Sequence, residues 1–171
     1  MMGSRGIPAA VGLVVLLALT RASIAGESGS LELIGRGREI VEMSAGCWEC
    51  HTPITASGEP DRRYHLAGHI AGGRVPSPTS FKALHGEGVA YARNLTPDVE
   101  TGLGAWTLED FRRALKEGVS KTGRPLNPYM PWNRYSLFFS DRDIEAVWAY
   151  LRSLPPVTNK VPDSVPFTLP K

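Results

Sequence analysis

The sequence predicts a mainly α domain whose first and last helices cross and whose long irregular loops wrap around something other than protein. Three observations carry this. Apolar residues recur at helical spacing in three separate stretches, near 31–46, 107–118 and 140–154. The stretches between them, 52–93 and 119–139, are broken by glycine and proline and show no sustained apolar period. At the end of the first helical stretch stands Cys47-Trp48-Glu49-Cys50-His51, two thiols three positions apart with a histidine directly behind the second.

In chain order, Arg5 precedes an apolar run from Ile7 to Leu19, and Ser23-Ile24-Ala25 closes it with small residues where a signal peptidase reads. Residues 1–25 therefore read as a secretory signal. The run is short of the roughly 20 apolar residues that a membrane span takes, and an uncleaved anchor is the alternative. Removing residues 1–25 from the 171 leaves 146, one domain of ordinary size, expected over 26–158 with an extended, proline-spaced tail over 159–171. It also removes Arg5 and Arg21, leaving seventeen basic against seventeen acidic residues. That balance excludes the basic footprint of a nucleic-acid binder, and it means a partner is recognised through a local patch rather than by long-range steering.

From Leu31 to Gly46, Leu33, Gly37, Ile40, Val41 and Ser44 fall on one helical face. A glycine on that face predicts that another element crosses there at close range, and Trp148 of the last helix is the expected neighbour. The Cys47–His51 run that follows is the attachment signature of c-type haem. Its spacing lets both thiols close thioethers onto one edge of a porphyrin while His51 takes the iron. One haem c, covalent through Cys47 and Cys50, is the expected cofactor. A thioredoxin-like thiol pair and a zinc site compete. Cys47-x2-Cys50 with His65-x3-His69 meets zinc-finger spacing, but residues 52–64 hold Pro53, Gly58 and Pro60 and lack the apolar period such a finger needs. These two cysteines are the only ones in the chain, so no disulfide framework is available.

The forty-two residues 52–93 are far longer than an ordinary loop, and a flat apolar ligand could serve as the core they lack. Asn94-Leu95-Thr96-Pro97-Asp98 is turn chemistry. Thr107 reads as an N-cap with Glu109 and Asp110 in the first turn, Leu108, Phe111, Ala114 and Leu115 form the buried face, and Gly118 is the stop. Residues 119–139 are expected to be irregular, stiffened by Pro125, Pro128 and Pro131. Ser140 caps the last helix, where Ile144, Val147, Trp148 and Leu151 recur at helical spacing until Leu154-Pro155-Pro156.

With His51 on one face of the iron, the other face is open to Met43, Met130, His65, His69 or His85. Met43 lies four residues before Cys47 and is tethered on the attachment side. Met130 is favoured: it sits in a proline-stiffened loop between two helices. His65, His69 and His85 remain alternatives. Ligation by His51 and Met130 fills both axial positions, leaves no open site for substrate, and raises the reduction potential.

Taken together, Cys47–His51 with Thr52-Pro53, Leu66-Ala67-Gly68, Asn94–Asp98, Thr101-Gly102-Leu103-Gly104 with Trp106-Thr107, Gly123-Arg124-Pro125-Leu126, Met130-Pro131-Trp132 and Asp143-Ile144 through Tyr150-Leu151 resemble the cytochrome c modules of membrane-bound alcohol, aldehyde and sugar dehydrogenases. The resemblance implies a class I cytochrome c fold with crossing terminal helices. It implies Cys47 and Cys50 as thioether sites, His51 as proximal and Met130 as distal ligand. It also implies Pro53 as the carbonyl acceptor for His51 Nδ1, with Trp106 and Arg124 toward the haem propionates. The multihaem members repeat the module, whereas this chain has one such motif.

The expectation is thus a monohaem, periplasmic single-electron carrier rather than an enzyme. Its redox-protein partners would be a dehydrogenase as donor and a terminal oxidase or reductase as acceptor, with membrane contact only if the signal stays uncleaved. The alternative is a haem enzyme subunit or gas-binding protein with a labile distal ligand.

Overall fold

The computed structural model describes residues 29–69, 87–163 and 165–168; the expected signal at 1–25 and His85 lie outside them. Residues 29–39 form helix α1, which runs on through a wide π turn, Ile40–Ser44, closed by the Ala45 N–H on the Ile40 carbonyl at 2.8 Å. The wider turn rolls the helix so that the neighbouring residues Ile40 and Val41 are both buried in the core. Gly46, at φ 60°, reverses the chain into the short helix α2, Cys47–His51. A tight turn bridged between Ile54 and Pro60 and a 3-10 turn at Arg62–Tyr64 follow.

Helix α3 spans Leu108–Glu117 and α5 spans Asp141–Ser153. Both begin with a reciprocal capping box, Thr107 with Asp110 and Ser140 with Asp143, which satisfies backbone donors that a helix start leaves orphaned. Each cap holds its aspartate's carboxyl below the ordinary carboxylate range. Between them the structure places a helix the sequence reading left irregular: α4, Trp132–Phe138. Seven residues are too few to be stable alone, so tertiary contacts must supply this helix's stability. Trp132 lies over Gly118, where a Cβ would strike the indole, Tyr135 stacks on Phe139 at 4.9 Å, and the Lys116 ammonium donates to the Phe139 carbonyl at 2.6 Å. A small antiparallel ribbon, β1 at Glu87–Val89 with β2 at Val165–Thr168, completes a mainly α architecture.

The first and last helices cross, as expected, at Gly37. The neighbour is not Trp148. A Cβ at Gly37 would fall on the Ala146 carbonyl and against the Tyr150 Cβ, so the α5 backbone itself occupies the space. Trp148 turns instead toward α3, its ring 5.3 Å from Phe111, with the Arg152 guanidinium over the indole at 5.5 Å. Arg36 on α1 bridges to Asp143 at 3.2 Å beside the crossing. The core gathers Ile40 and Val41 from the π turn, Leu66 and Leu103 from the loops, Phe111 and Leu115 from α3, and Ile144, Val147 and Leu151 from α5.

The chain after α5 is extended and firmly tied. The Val157 carbonyl accepts from Asn94 at 2.8 Å, and Asn159 and Val161 are buried. Replacing Gly37 by alanine should part the α1–α5 crossing and cost about 1–3 kcal/mol by overpacking. Denaturant unfolding of the purified protein measures it, and an unchanged midpoint would contradict the close backbone approach.

Candidate haem site

On a helix of 3.6 residues per turn, positions i, i+3 and i+4 share a face, so α2 presents Cys47, Cys50 and His51 together. Gly46 makes this possible, because its left-handed backbone lets α2 start at a sharp angle to α1. Both cysteines are free thiols, Cys47 half-buried and Cys50 exposed. Burial pushes the Cys47 thiol up to about 12 and also raises that of Cys50. A disulfide-exchange pair needs at least one thiol with a lowered pKa, and here both move the other way.

His51 is buried, and its Nδ1–H donates to the Arg93 carbonyl at 2.7 Å. A carbonyl can only accept, so the proton sits on Nδ1 and the lone pair on Nε2. Burial drives the imidazole pKa down to about 4, which keeps the ring neutral at physiological pH. A neutral, oriented imidazole with a bare Nε2 is the state in which histidine binds metal. The acceptor is not the Pro53 carbonyl, as the resemblance implied. Thr52 is extended, carrying the chain away from α2, and the Pro53 carbonyl instead takes the Asp61 N–H at 2.8 Å.

Two segments hold this geometry. Residues 66–69 lie against the end of α2, with the Gly68 N–H on the His51 carbonyl at 2.7 Å and the Leu66 N–H on Thr52 Oγ1 at 3.0 Å. Buried Leu66 adopts φ 58°, a left-handed conformation costly for leucine, and the hydrogen bond from the Leu95 N–H to its carbonyl at 2.8 Å helps to hold it. Residues 92–96 form the second segment. Asn94 is buried, its Oδ1 accepting from Thr96 and its Nδ2 donating to Thr101 and to the Val157 carbonyl. The Arg93 guanidinium reaches the Val161 and Pro162 carbonyls and Asp163, so the post-helical tail clamps the residue whose carbonyl orients His51.

On the α1 side, Glu42 Oε1 accepts from Tyr150 at 2.7 Å and pairs with His65 Nε2 at 2.9 Å. The Glu42 carbonyl accepts from the Trp48 indole at 3.0 Å. This cluster ties α1, α5 and the loop after α2 together around the motif.

Met130 is half-buried against the core, its N–H on the Asn127 carbonyl at 2.9 Å and its carbonyl taking the Trp132 N–H at 2.8 Å. Met43 is exposed. His65 is occupied by Glu42, and the segment carrying His69 is bonded to the turn that carries His51. Trp106 packs half-buried against the core, while Arg124 is exposed, its Nε on Thr122 Oγ1 at 3.4 Å. Among the described residues no group of three or more His, Cys, Asp or Glu side chains is placed to hold a metal ion, so the zinc-like spacing does not fold into a four-ligand cluster. Arg93 was missed in the sequence because it acts through its carbonyl, which any residue supplies. Asn94 and Asn159 stood inside turn-like runs whose side-chain partners lie far along the chain.

A mainly α frame with crossing terminal helices, carrying paired thiols and a neutral buried imidazole on one short helix, is the cytochrome c fold. No family model matches the chain. It is homologous to the cytochrome c subunit of a quinone-type alcohol dehydrogenase from Gluconobacter oxydans, 33% identical over 92% of the chain and 29% of that protein. Two further relatives are the gluconate 2-dehydrogenase cytochrome c subunit of Pantoea cypripedii, 33% identical over 91% of the chain and 31% of that protein, and the fructose dehydrogenase cytochrome subunit of Gluconobacter japonicus, 33% identical over 70% of the chain and 22% of that protein. The chain thus spans less than a third of the length of these relatives.

Glu42→Gln should weaken the clasp with Tyr150 and His65 by about 1 kcal/mol, the scale of a partly exposed charge-assisted hydrogen bond. Urea unfolding checks this; a variant as stable as the parent would remove Glu42 from the support of the site.

Proposed function

We propose that the chain is a periplasmic single-electron carrier that holds one haem c through Cys47 and Cys50, with His51 and Met130 as axial ligands. The observation that carries this reading is the His51 tautomer: Nδ1–H is spent on the Arg93 carbonyl and Nε2 keeps its lone pair, on the same helix face as both thiols. Haem in such a setting supplies a one-electron couple. The protein's part is to orient His51, to keep that ring neutral, and to hold Met130 in a loop braced at its Asn127 and Trp132 ends. A thioether is a weak neutral ligand, so a loop fixed in advance favours it, and the prolines at 125, 128 and 131 reduce the freedom lost on folding. Trp106 and Arg124 stay assigned to the cofactor by resemblance alone.

The relatives are named as cytochrome subunits of dehydrogenases, and a dehydrogenase is accordingly the proposed electron donor. A terminal oxidase or reductase is the proposed acceptor. Export rests on residues 1–25 and on covalent haem attachment being completed outside the cytoplasmic membrane. Among the described residues no helix is long and apolar enough to cross a membrane.

Pyridine haemochrome analysis of the purified protein should give the two-thioether spectrum, and haem removed by acid acetone would overturn covalent attachment. Met130→Ala should keep the haem attached, abolish the red-region sulfur-to-iron band and lower the potential. Axial ligation spans roughly 0.8 V among haem proteins, so a drop on the order of 0.1 V or more is expected in a redox titration. An unchanged band and potential would move the distal ligand to a histidine.

A further inference from the structure

Helix α4 faces two ways. Its inner side carries Trp132, set over Gly118, and Tyr135, stacked on Phe139. Burial and then the neighbouring Cys47 and Cys50 raise the Tyr135 hydroxyl above the ordinary phenol range, so this side of the helix lies beside the thiols. Its outer side carries Arg134, Leu137 and Phe138, at i, i+3 and i+4 on one face. All three are exposed, Leu137 at 81% and Phe138 at 74%. Single exposed apolar residues are ordinary, and Leu31, Met43 and Val99 are of that kind. Two consecutive ones on the same face of a helix that has no buried residue mark a contact surface.

The charge carried by this segment has one sign. Beyond residues 1–25 the chain balances seventeen bases against seventeen acids, yet residues 118–139 hold Lys121, Arg124 and Arg134 and no acid, which leaves the rest of the domain acidic by three. Arg124 and Arg134 are exposed, and among the described residues no carboxylate forms an ion pair with either. The Lys116 ammonium closes the end of α4 on the Ser136 and Phe139 carbonyls. The acids that flank the segment in sequence are Glu117 and Asp141, and Asp141 is taken by Arg112 at 3.3 Å. Such a surface is complementary to a negatively charged partner.

The size of the patch narrows the partner further. Binding to a lipid surface scales with buried apolar area, and two side chains supply little of it. A stable dimer also needs a larger apolar interface, whereas encounters between redox proteins bury less than about 1,200 Å². An apolar centre with a charged rim is the composition of such an interface. We propose that the outer face of α4, Leu137 and Phe138 flanked by Arg134, is the docking surface for a redox protein that presents acidic side chains around an apolar centre. This rests on the electron-carrier reading above, and it places the partner across α4 from the thiols, a helix diameter of about 10 Å. The segment that carries Met130 is then also the one the partner touches.

The probe is plastocyanin, a small acidic copper protein, added to the holoprotein after haemochrome analysis has shown the haem present. A chain without haem overturns the function proposed above, whereas a haem protein failing the measurements below overturns only the docking face. With both proteins reduced, the amide signals of the 15N-labelled holoprotein should shift at residues 133–138. They should return as salt is raised from about 0.01 to about 0.15 M, which shortens the screening length from about 30 to about 8 Å. In stopped flow, one electron passes from the ferrous holoprotein to cupric plastocyanin. Arg134→Glu should slow this step about tenfold at low salt and much less at high salt. Leu137→Ser together with Phe138→Ser should slow it at both, because apolar contact is not screened. Shifts centred elsewhere, or parent rates in both variants, overturn the proposal. So do shifts at 133–138 that appear with phosphatidylglycerol vesicles but not with plastocyanin, which assign the face to a lipid surface, or that grow with protein concentration alone, which assign it to a second copy.

Discussion

The hydrogen bond from His51 Nδ1–H to the Arg93 carbonyl joins two groups 42 positions apart, and the chemistry of the site depends on it. Without it the imidazole could rotate or change tautomer, and Nε2 would not be held as the lone-pair atom. The bond survives burial because each end is fastened by its own set of contacts. Gly46 and α2 set the position of the ring. Arg93 is fixed by its guanidinium on residues 161–163 and by the Asn94–Thr96 turn that follows it. The tail after α5 thus becomes part of the site through the Val161 and Pro162 carbonyls and the Asp163 carboxylate.

That arrangement shows how a domain with few helices stabilises long loops. The helices supply a core where α1 and α5 cross at Gly37 and where α3 meets Trp148 through Phe111. The loops add Leu66, Ala67, Leu103 and Val161 to the buried apolar residues. Buried amide and hydroxyl side chains hold them in place: Thr52 on Leu66, Asn94 on Val157, Asn159 on the 67–69 backbone. Each bond is modest, on the order of 1 kcal/mol net, but leaving any of these buried groups unpaired would cost more than the bond contributes. The loop network is therefore intolerant of partial loss, and it keeps the site rigid.

The helices at 108–117 and 141–153 were legible in the sequence because their signals are local: a capping residue, acids in the first turn, apolar period, and a glycine or proline stop. The glycine at 37 correctly signalled a crossing, yet the partner assigned to it was wrong. A missing Cβ announces that something is close, but it does not distinguish the indole of Trp148 from the backbone of Ala146. Helix α4 escaped notice because its seven residues carry no apolar period, and its stability comes from Trp132 on Gly118 and from Lys116 at its end. Likewise, the spacing of Cys47, Cys50, His65 and His69 matched a zinc finger on paper, and folding sent each histidine to a different partner, Glu42 and Ala92.

By itself, the order of residues determined the spacing of two thiols and an imidazole within five positions, and the α2 turn, with 3.6 residues per turn, then brought them to one face. It also determined where the two long helices begin and end. Only the tertiary structure decided which carbonyl orients His51, because every residue has a carbonyl and no side-chain pattern marks the one that will be near. It decided too that His69 Nδ1 accepts from the Ala92 N–H, a property of packing between segments twenty-three residues apart rather than of either segment alone.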